Sequence, residues 1–219
     1  MDGSASVQSD GENNLQHMKD LLINIVNPLD LTKTRVGVIV YSTNSTLALP
    51  LDHYSSSFSN QLDSIQFLGG GTFTGKALND SVTILFNSSV VRSSASKVLV
   101  VITDGVSIDD VDIPALLVNR SGITSLAVGI GRNYDRSQLT KIALGEEKRV
   151  FSAAEFTSLN GTLFLDDTGD AICRGKMHTC FCITISMRKC PLSIRKCFQF
   201  INILFGFYCE LNLSYLDPV

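Results

Sequence analysis

Residues 97–105 read Lys-Val-Leu-Val-Val-Ile-Thr-Asp-Gly. The first seven form an almost continuous apolar run rich in β-branched residues. Such a run suits a strand covered on both faces by other elements, as in a parallel sheet. Two more runs of the same kind flank it. Residues 35–41 (RVGVIVY) read as a strand, and residues 123–128 (ITSLAV) read as a buried strand closed by Gly129-Ile130-Gly131. Between these runs the apolar spacing changes to a helical one. Leu15, Met18, Leu22, Ile25 and Leu29 form a stripe at i, i+3, i+7, predicting a helix over 13–27 that ends at Asn27-Pro28. Ala77, Leu78, Val82 and Leu85 predict a helix over 74–86 with these residues inward. Shorter helices are expected at 55–65, 109–119 and 135–144, with short strands at 46–49 and 149–151 and a last helix from Ser152 onward. Strands alternating with helices imply an α/β fold, a Rossmann-like doubly wound and mostly parallel sheet with helices on both faces. Ligands of such sheets bind beyond the carboxyl ends of the strands, so the polar residues just after each strand carry the functional information.

The chain has 219 residues, 44% hydrophobic and 18% charged, enough for one ordinary domain with a sizeable core. With 18 basic and 21 acidic side chains it has no cationic excess to hold nucleic acid. The totals conceal a division. All six Cys (173, 180, 182, 190, 197 and 209) fall at the end of the chain. Residues 1–173 carry a net charge of −7, and residues 174–219 carry +4. A domain over 1–173 and a Cys-rich apolar and basic tail over 174–219 are expected, with the boundary near 173–175. No signal peptide is visible after Met1, and the apolar run 198–209, interrupted by Gln199 and Asn202, falls short of the roughly 20 residues that span a bilayer.

Three segments at strand ends or turns stand out: Asp2-Gly3-Ser4-Ala5-Ser6, Gly69-Gly70-Gly71-Thr72-Phe73-Thr74-Gly75, and Thr103-Asp104-Gly105. Together they offer two carboxylates and several hydroxyls but no His or Cys. Hard oxygen donors of this kind suit Mg²⁺, Mn²⁺ or Ca²⁺ rather than zinc or copper. Taken singly, each Ser or Asp would read as a helix cap or turn former; it is their joint occurrence that points to a site.

At these residues the chain resembles the von Willebrand factor A domain, whose metal-ion-dependent adhesion site has the pattern Asp-x-Ser-x-Ser, then a Thr after a glycine-rich turn, then an Asp before Gly. Asp2, Ser4, Ser6, Thr72 and Asp104 match all five positions in order. The segments 35–41 and 70–78 look most like the matrix domains of collagens and matrilins. The resemblance implies that Ser4, Ser6 and Thr72 bind the ion directly and that Asp2 and Asp104 act directly or through water. It implies an open coordination position filled by an acidic side chain of an extracellular protein partner, such as a collagen or another adhesion protein. It further implies a secreted protein without catalytic activity. In the family an apolar central strand precedes the Asp-x-Ser-x-Ser segment. Here Met1 stands directly before it, so the first strand is expected to be missing, Asp2 to sit on a free terminus, and metal affinity to be weakened.

Other motifs compete. Gly70-x₄-Gly75-Lys76 nearly matches a phosphate-binding loop, but Ala77 stands where that motif needs Ser or Thr for Mg²⁺. This nucleotide-hydrolase reading is the enzymatic alternative. A structural assembly module with an idle ion site is the other. A dinucleotide pattern fails because Thr74 occupies its third glycine position. Asp167-Thr168-Gly169 reads as a polar turn rather than a protease triplet. His17 and His53 have no partner at metal-ligand spacing and read as surface histidines. Asn-x-Ser/Thr sequons begin at Asn44, Asn79, Asn87, Asn119, Asn160 and Asn212, which fits a secreted glycoprotein. The tail cysteines show no paired Cys-x-x-Cys, which disfavours zinc and leaves disulfides open.

Overall fold

The computed structural model describes residues 1–5, 7, 13–27, 29–54 and 57–160. Ser6, the triplet 167–169, the sequon at Asn212 and the tail 174–219 lie outside the described residues. Strand β1 (Val36–Tyr41) pairs antiparallel with β2 (Ser45–Asp52). Strands β3 (Lys97–Thr103), β4 (Ile123–Ile130) and β5 (Val150–Ala153) form a parallel sheet in that order. The β3–β4 register runs from Lys97 opposite Ile123 to Thr103 opposite Gly129. The helices are α1 (Asn14–Val26), α2 (Phe58–Asp63), α3 (Thr74–Asp80), α4 (Asp112–Arg120) and α5 (Arg136–Ile142).

The apolar runs at 97–103 and 123–130 behave as two-faced strands. Ile102, Leu126, Val128 and Ile130 pack with Met18, Leu21 and Ile25 of α1 and with Phe58 and Leu62 of α2. Their neighbours Val101, Ile123 and Ala127 pack on the other face with Leu78 of α3, Ala115 and Val118 of α4, and Leu139 and Ile142 of α5. Alternation of side chains along each strand produces this division. The α/β architecture with helices on both faces is therefore the observed one.

Residues 1–3 lie between β1 and β3. The Met1 ammonium donates to the Ile39 carbonyl (3.0 Å) and the Tyr41 amide donates to Met1 O (3.1 Å). The Asp2 amide donates to Ile102 O (2.9 Å) and the Gly3 amide to Tyr41 O (2.7 Å), in a parallel bridge between Asp2 and Tyr41. This stub reaches only the carboxyl ends of the two strands. There Val38–Tyr41 and Val101–Thr103 are buried, whereas Val36–Gly37 and residues 97–100 are half-buried.

Two local departures from the sequence reading have physical causes. The helix expected over 74–86 is α-helical only to Asp80 and continues as one wide π turn over Ser81–Leu85. There Ser81 Oγ donates back to the Ala77 carbonyl (2.7 Å) and Thr83 Oγ1 to Asn79 O (3.1 Å), a back-bonding that loosens the regular ladder. After β5 the chain forms a short 3₁₀ turn, Phe156–Asn160. His53 is exposed as expected, but His17 is half-buried on α1 with Nδ1 enclosed and without a hydrogen-bond partner among the described residues.

Because Leu126 is fully buried in the central strand, Leu126→Ala is expected to lower stability by about 2–5 kcal/mol. Urea unfolding followed by circular dichroism measures it, and the m-value should stay unchanged.

Candidate metal centre

Three chain segments meet at the carboxyl ends of β1 and β3. The first is residues 1–5, fixed between the strands. The glycine-rich turn forms the second, and backbone bonds lock it to the first: the amides of Leu68 and Gly69 donate to Gly3 O (3.2 and 3.0 Å), and the Ala5 amide donates to Gly70 O (3.0 Å). Gly70 is required at this contact. Its φ is +82°, and a Cβ there would lie 2.5 Å from Thr43 Oγ1. The third segment is the loop that follows Thr103.

Asp2, Ser4, Thr72 and Asp104 are all buried, with 0%, 1%, 7% and 2% of their surface exposed. Thr72 Oγ1 donates to Ser4 Oγ at 3.0 Å, which joins the first segment to the second. Thr103 Oγ1 donates to Asp2 Oδ2 at 2.7 Å, which joins the first to the end of β3, from which the third departs. The Ser4 amide donates to Asp2 Oδ1 at 2.9 Å. Asp104 follows Thr103 directly. The Tyr41 hydroxyl senses both carboxylates: burial raises its pKa well above the usual tyrosine value, and the charges of Asp2 and Asp104 raise it further. Asp2 is thus held from both sides rather than sitting on a free terminus. Ser6 lies outside the described residues.

The electrostatics favour a cation here. Asp2 is stabilised by a neutral hydroxyl and a neutral amide, and two carboxylates lie close enough to act on one phenol. The nearby amino terminus contributes weakly, since burial lowers its pKa to about 6 against the opposing pull of Asp2. Among the described residues no group of three or more His, Cys, Asp or Glu could hold a metal. A set of two carboxylates with serine and threonine hydroxyls is the donor chemistry of a hard divalent ion.

Three residues of this region escaped the sequence reading, Tyr41, Ser107 and Asp109, and Thr103 was read in its segment without a role. Asp109 accepts from the amides of Gly75 (2.9 Å) and Lys76 (2.7 Å) at the start of α3, and from Ser107 Oγ (2.6 Å). Ser107 Oγ in turn accepts from the Thr74 amide (3.0 Å). These bonds fix the segment that carries Thr72. They also occupy the amides of Gly75 and Lys76, which a phosphate-binding loop would present to its ligand, while Lys76 Nζ pairs with Asp80 (2.9 Å).

The family model of the von Willebrand factor type A domain matches residues 1–164. The chain belongs to this family. The collagen alpha-1(XXI) chain of Xenopus laevis is 37% identical over 147 residues, covering 65% of this chain and 15% of that one. The collagen alpha-4(VI) chain of Mus musculus is 34% identical over 163 residues, covering 73% of this chain and 7% of that one. Proximal thread matrix protein 1 from the mussel byssus, solved with zinc in its MIDAS (metal-ion-dependent adhesion site) motif, superposes with a TM-score of 0.68 at 25% identity. That match covers 78% of this chain and 44% of the mussel protein. The von Willebrand factor A domain chain therefore spans far less than two thirds of the relatives it matches.

Thr103 supplies the only side-chain hydroxyl donated to Asp2 among the described residues. Thr103→Val is expected to destabilise the domain by about 1.5–3 kcal/mol, the range for a hydrogen bond to a charged group. In an Asp2→Asn background the loss should shrink, and a double-mutant cycle in urea measures that coupling.

Proposed function

We propose that residues 1–173 form a divalent-cation-dependent protein-binding module of the extracellular matrix, held at Asp2, Ser4, Ser6, Thr72 and Asp104. What supports this reading is that Ser4 and Thr72 are bonded to each other, Asp2 accepts from Thr103, and Asp104, the next residue after Thr103, is buried as they are. Mg²⁺ suits that donor set best, with Mn²⁺ or Ca²⁺ able to replace it. When bound, the cation supplies an electrophilic position for a carboxylate of the partner protein. The chain's own residues do the rest. Ser4 and Thr72 offer neutral oxygens, which bind without adding repulsion. Asp2 and Asp104 would nearly cancel the ion's charge, and the neutral hydroxyls would leave it electrophilic toward a partner's carboxylate. Thr103, Tyr41 and the Asp109–Ser107 pair hold these side chains in place.

The module is an adhesion device rather than an enzyme, and its partners are matrix proteins such as collagens. Similarity to collagen chains supports the extracellular assignment. So does the exposure of Asn44, Asn79, Asn87 and Asn119, the described sequon asparagines whose side-chain burial is known. No helix among the described residues is long and apolar enough to cross a membrane. The change of charge sign and of cysteine use near 173–175 supports ending the domain there.

Calorimetric titration with Mg²⁺ tests the cradle. Thr72→Ala should weaken Mg²⁺ binding by roughly tenfold or more. Capture of this chain on immobilised collagen should be lost with Thr72→Ala and in EDTA. Capture that survives both changes overturns the adhesion reading.

A further inference from the structure

At the amino-terminal end of β3, the end opposite the cradle, lies a cavity of about 380 Å³ that opens to solvent. Val82, Thr83, Phe86 and Asn87 line it from the π turn and the residues just after it. Lys97 lines it from the start of β3, and Ser121 from the end of α4. The π turn builds one wall. Its bonds close over five residues, as the Phe86 amide does in donating to Ser81 O (3.1 Å). Asn87 therefore stands one turn beyond Val82 and shares its face. Ser88 Oγ donates to Leu85 O (2.9 Å), which fixes the turn that carries Asn87.

The lining is amphipathic. Val82 and Phe86 are half-buried, packed against the core on one side and bordering the cavity on the other. Polar groups stand beside them. Lys97 Nζ donates to Ser121 O at 3.4 Å, a long bond that leaves the other ammonium protons available. Thr83 Oγ1 donates to Asn79 O (3.1 Å) and Ser121 Oγ to Leu117 O (2.9 Å), so both hydroxyl oxygens keep acceptor capacity. An aromatic and an aliphatic surface with a few polar groups at its edge suits a sugar ring, which has a C–H face and a rim of hydroxyls. One residue of the wall also offers a tether. Asn87 opens the sequon Asn87-Ser88-Ser89, and both Asn87 and Ser89 are exposed.

We propose that Asn87 carries an N-linked glycan whose first N-acetylglucosamine seats in this cavity against Phe86 and Lys97. This rests on the extracellular reading, which takes the chain through the compartment where such glycans are added. The donor is a polyprenyl-diphosphate oligosaccharide. Asn87 Nδ2 forms a bond to C1 of the first sugar and the C1–O bond to the diphosphate breaks. The diphosphate leaves with that electron pair, and the amide gives one proton to a base of the transferase. The C–H face of the sugar then covers Val82 and Phe86, and Lys97 donates to its oxygens.

The full chain, secreted from mammalian cells whose glycans stay in the high-mannose form, tests this. Peptide mass spectrometry should find Asn87 glycosylated, and Ser89→Ala should abolish the modification at that site alone. Endoglycosidase H trims each such glycan to its first N-acetylglucosamine. The trimmed protein should show a folding equilibrium constant in urea roughly fivefold above that of Ser89→Ala treated alike. Phe86→Leu should remove that gain, measured against Phe86→Leu/Ser89→Ala. Glycans at other sequons but none at Asn87 overturn the proposal and leave the extracellular reading standing. Equal stability of the two trimmed proteins, or a gain that survives Phe86→Leu, overturns the sugar seat and likewise leaves that reading standing. A secreted chain with no sequon modified overturns the proposal together with the glycoprotein support for that reading.

Discussion

A carboxylate with none of its surface exposed is costly unless its oxygens are engaged, and the site depends on how Asp2 meets that cost. Its backbone is stitched into β1 on one side and β3 on the other, which fixes the direction of the side chain. Its two oxygens then accept from the Ser4 amide and the Thr103 hydroxyl. Thr103 can make that bond because β3 is held in parallel register with β4 up to its last residue. The two-faced packing of Ile102 and Val101 keeps that register rigid. The core thus sets the geometry of the cradle through the end of one strand.

The same arrangement explains why so much hydroxyl chemistry surrounds two acids. Replacing Thr72 or Ser4 with further carboxylates would place more negative charge in a low-dielectric pocket that already raises the Tyr41 pKa. Neutral oxygens add donors to a cation without that repulsion. One divalent ion would balance the formal charges of Asp2 and Asp104, and the hydroxyls would add donors without adding charge.

Much of this was legible in the sequence. The strands expected at 97–103 and 123–128 were visible from apolar runs that suit burial on both faces, and the second extends to Ile130. The set Asp2, Ser4, Ser6, Thr72 and Asp104 was picked out because residue types and order together resemble the family's pattern. Other features lie in contacts that span the chain. Thr103 reaches back 101 residues to Asp2, and Asp109 reaches 34 residues back to Gly75. As isolated letters, Thr103 reads as strand and Asp109 as the start of the helix expected over 109–119. The helix in fact begins at Asp112, because Asp109 is used instead to cap α3. The π turn at Ser81–Leu85 was hidden because its cause is a side chain bonding its own preceding turn.

The loop from Gly105 to Asp110 joins these threads. Ser107 and Asp109 face inward: Asp109 accepts from the amides that open α3, and Ser107 accepts from the Thr74 amide, which fixes the Thr72 segment, whereas Asp110 is exposed and accepts from the Asp112 amide. With its polar groups spent on that task, the loop turns Val106 and Ile108 toward solvent, the reverse of the usual partition.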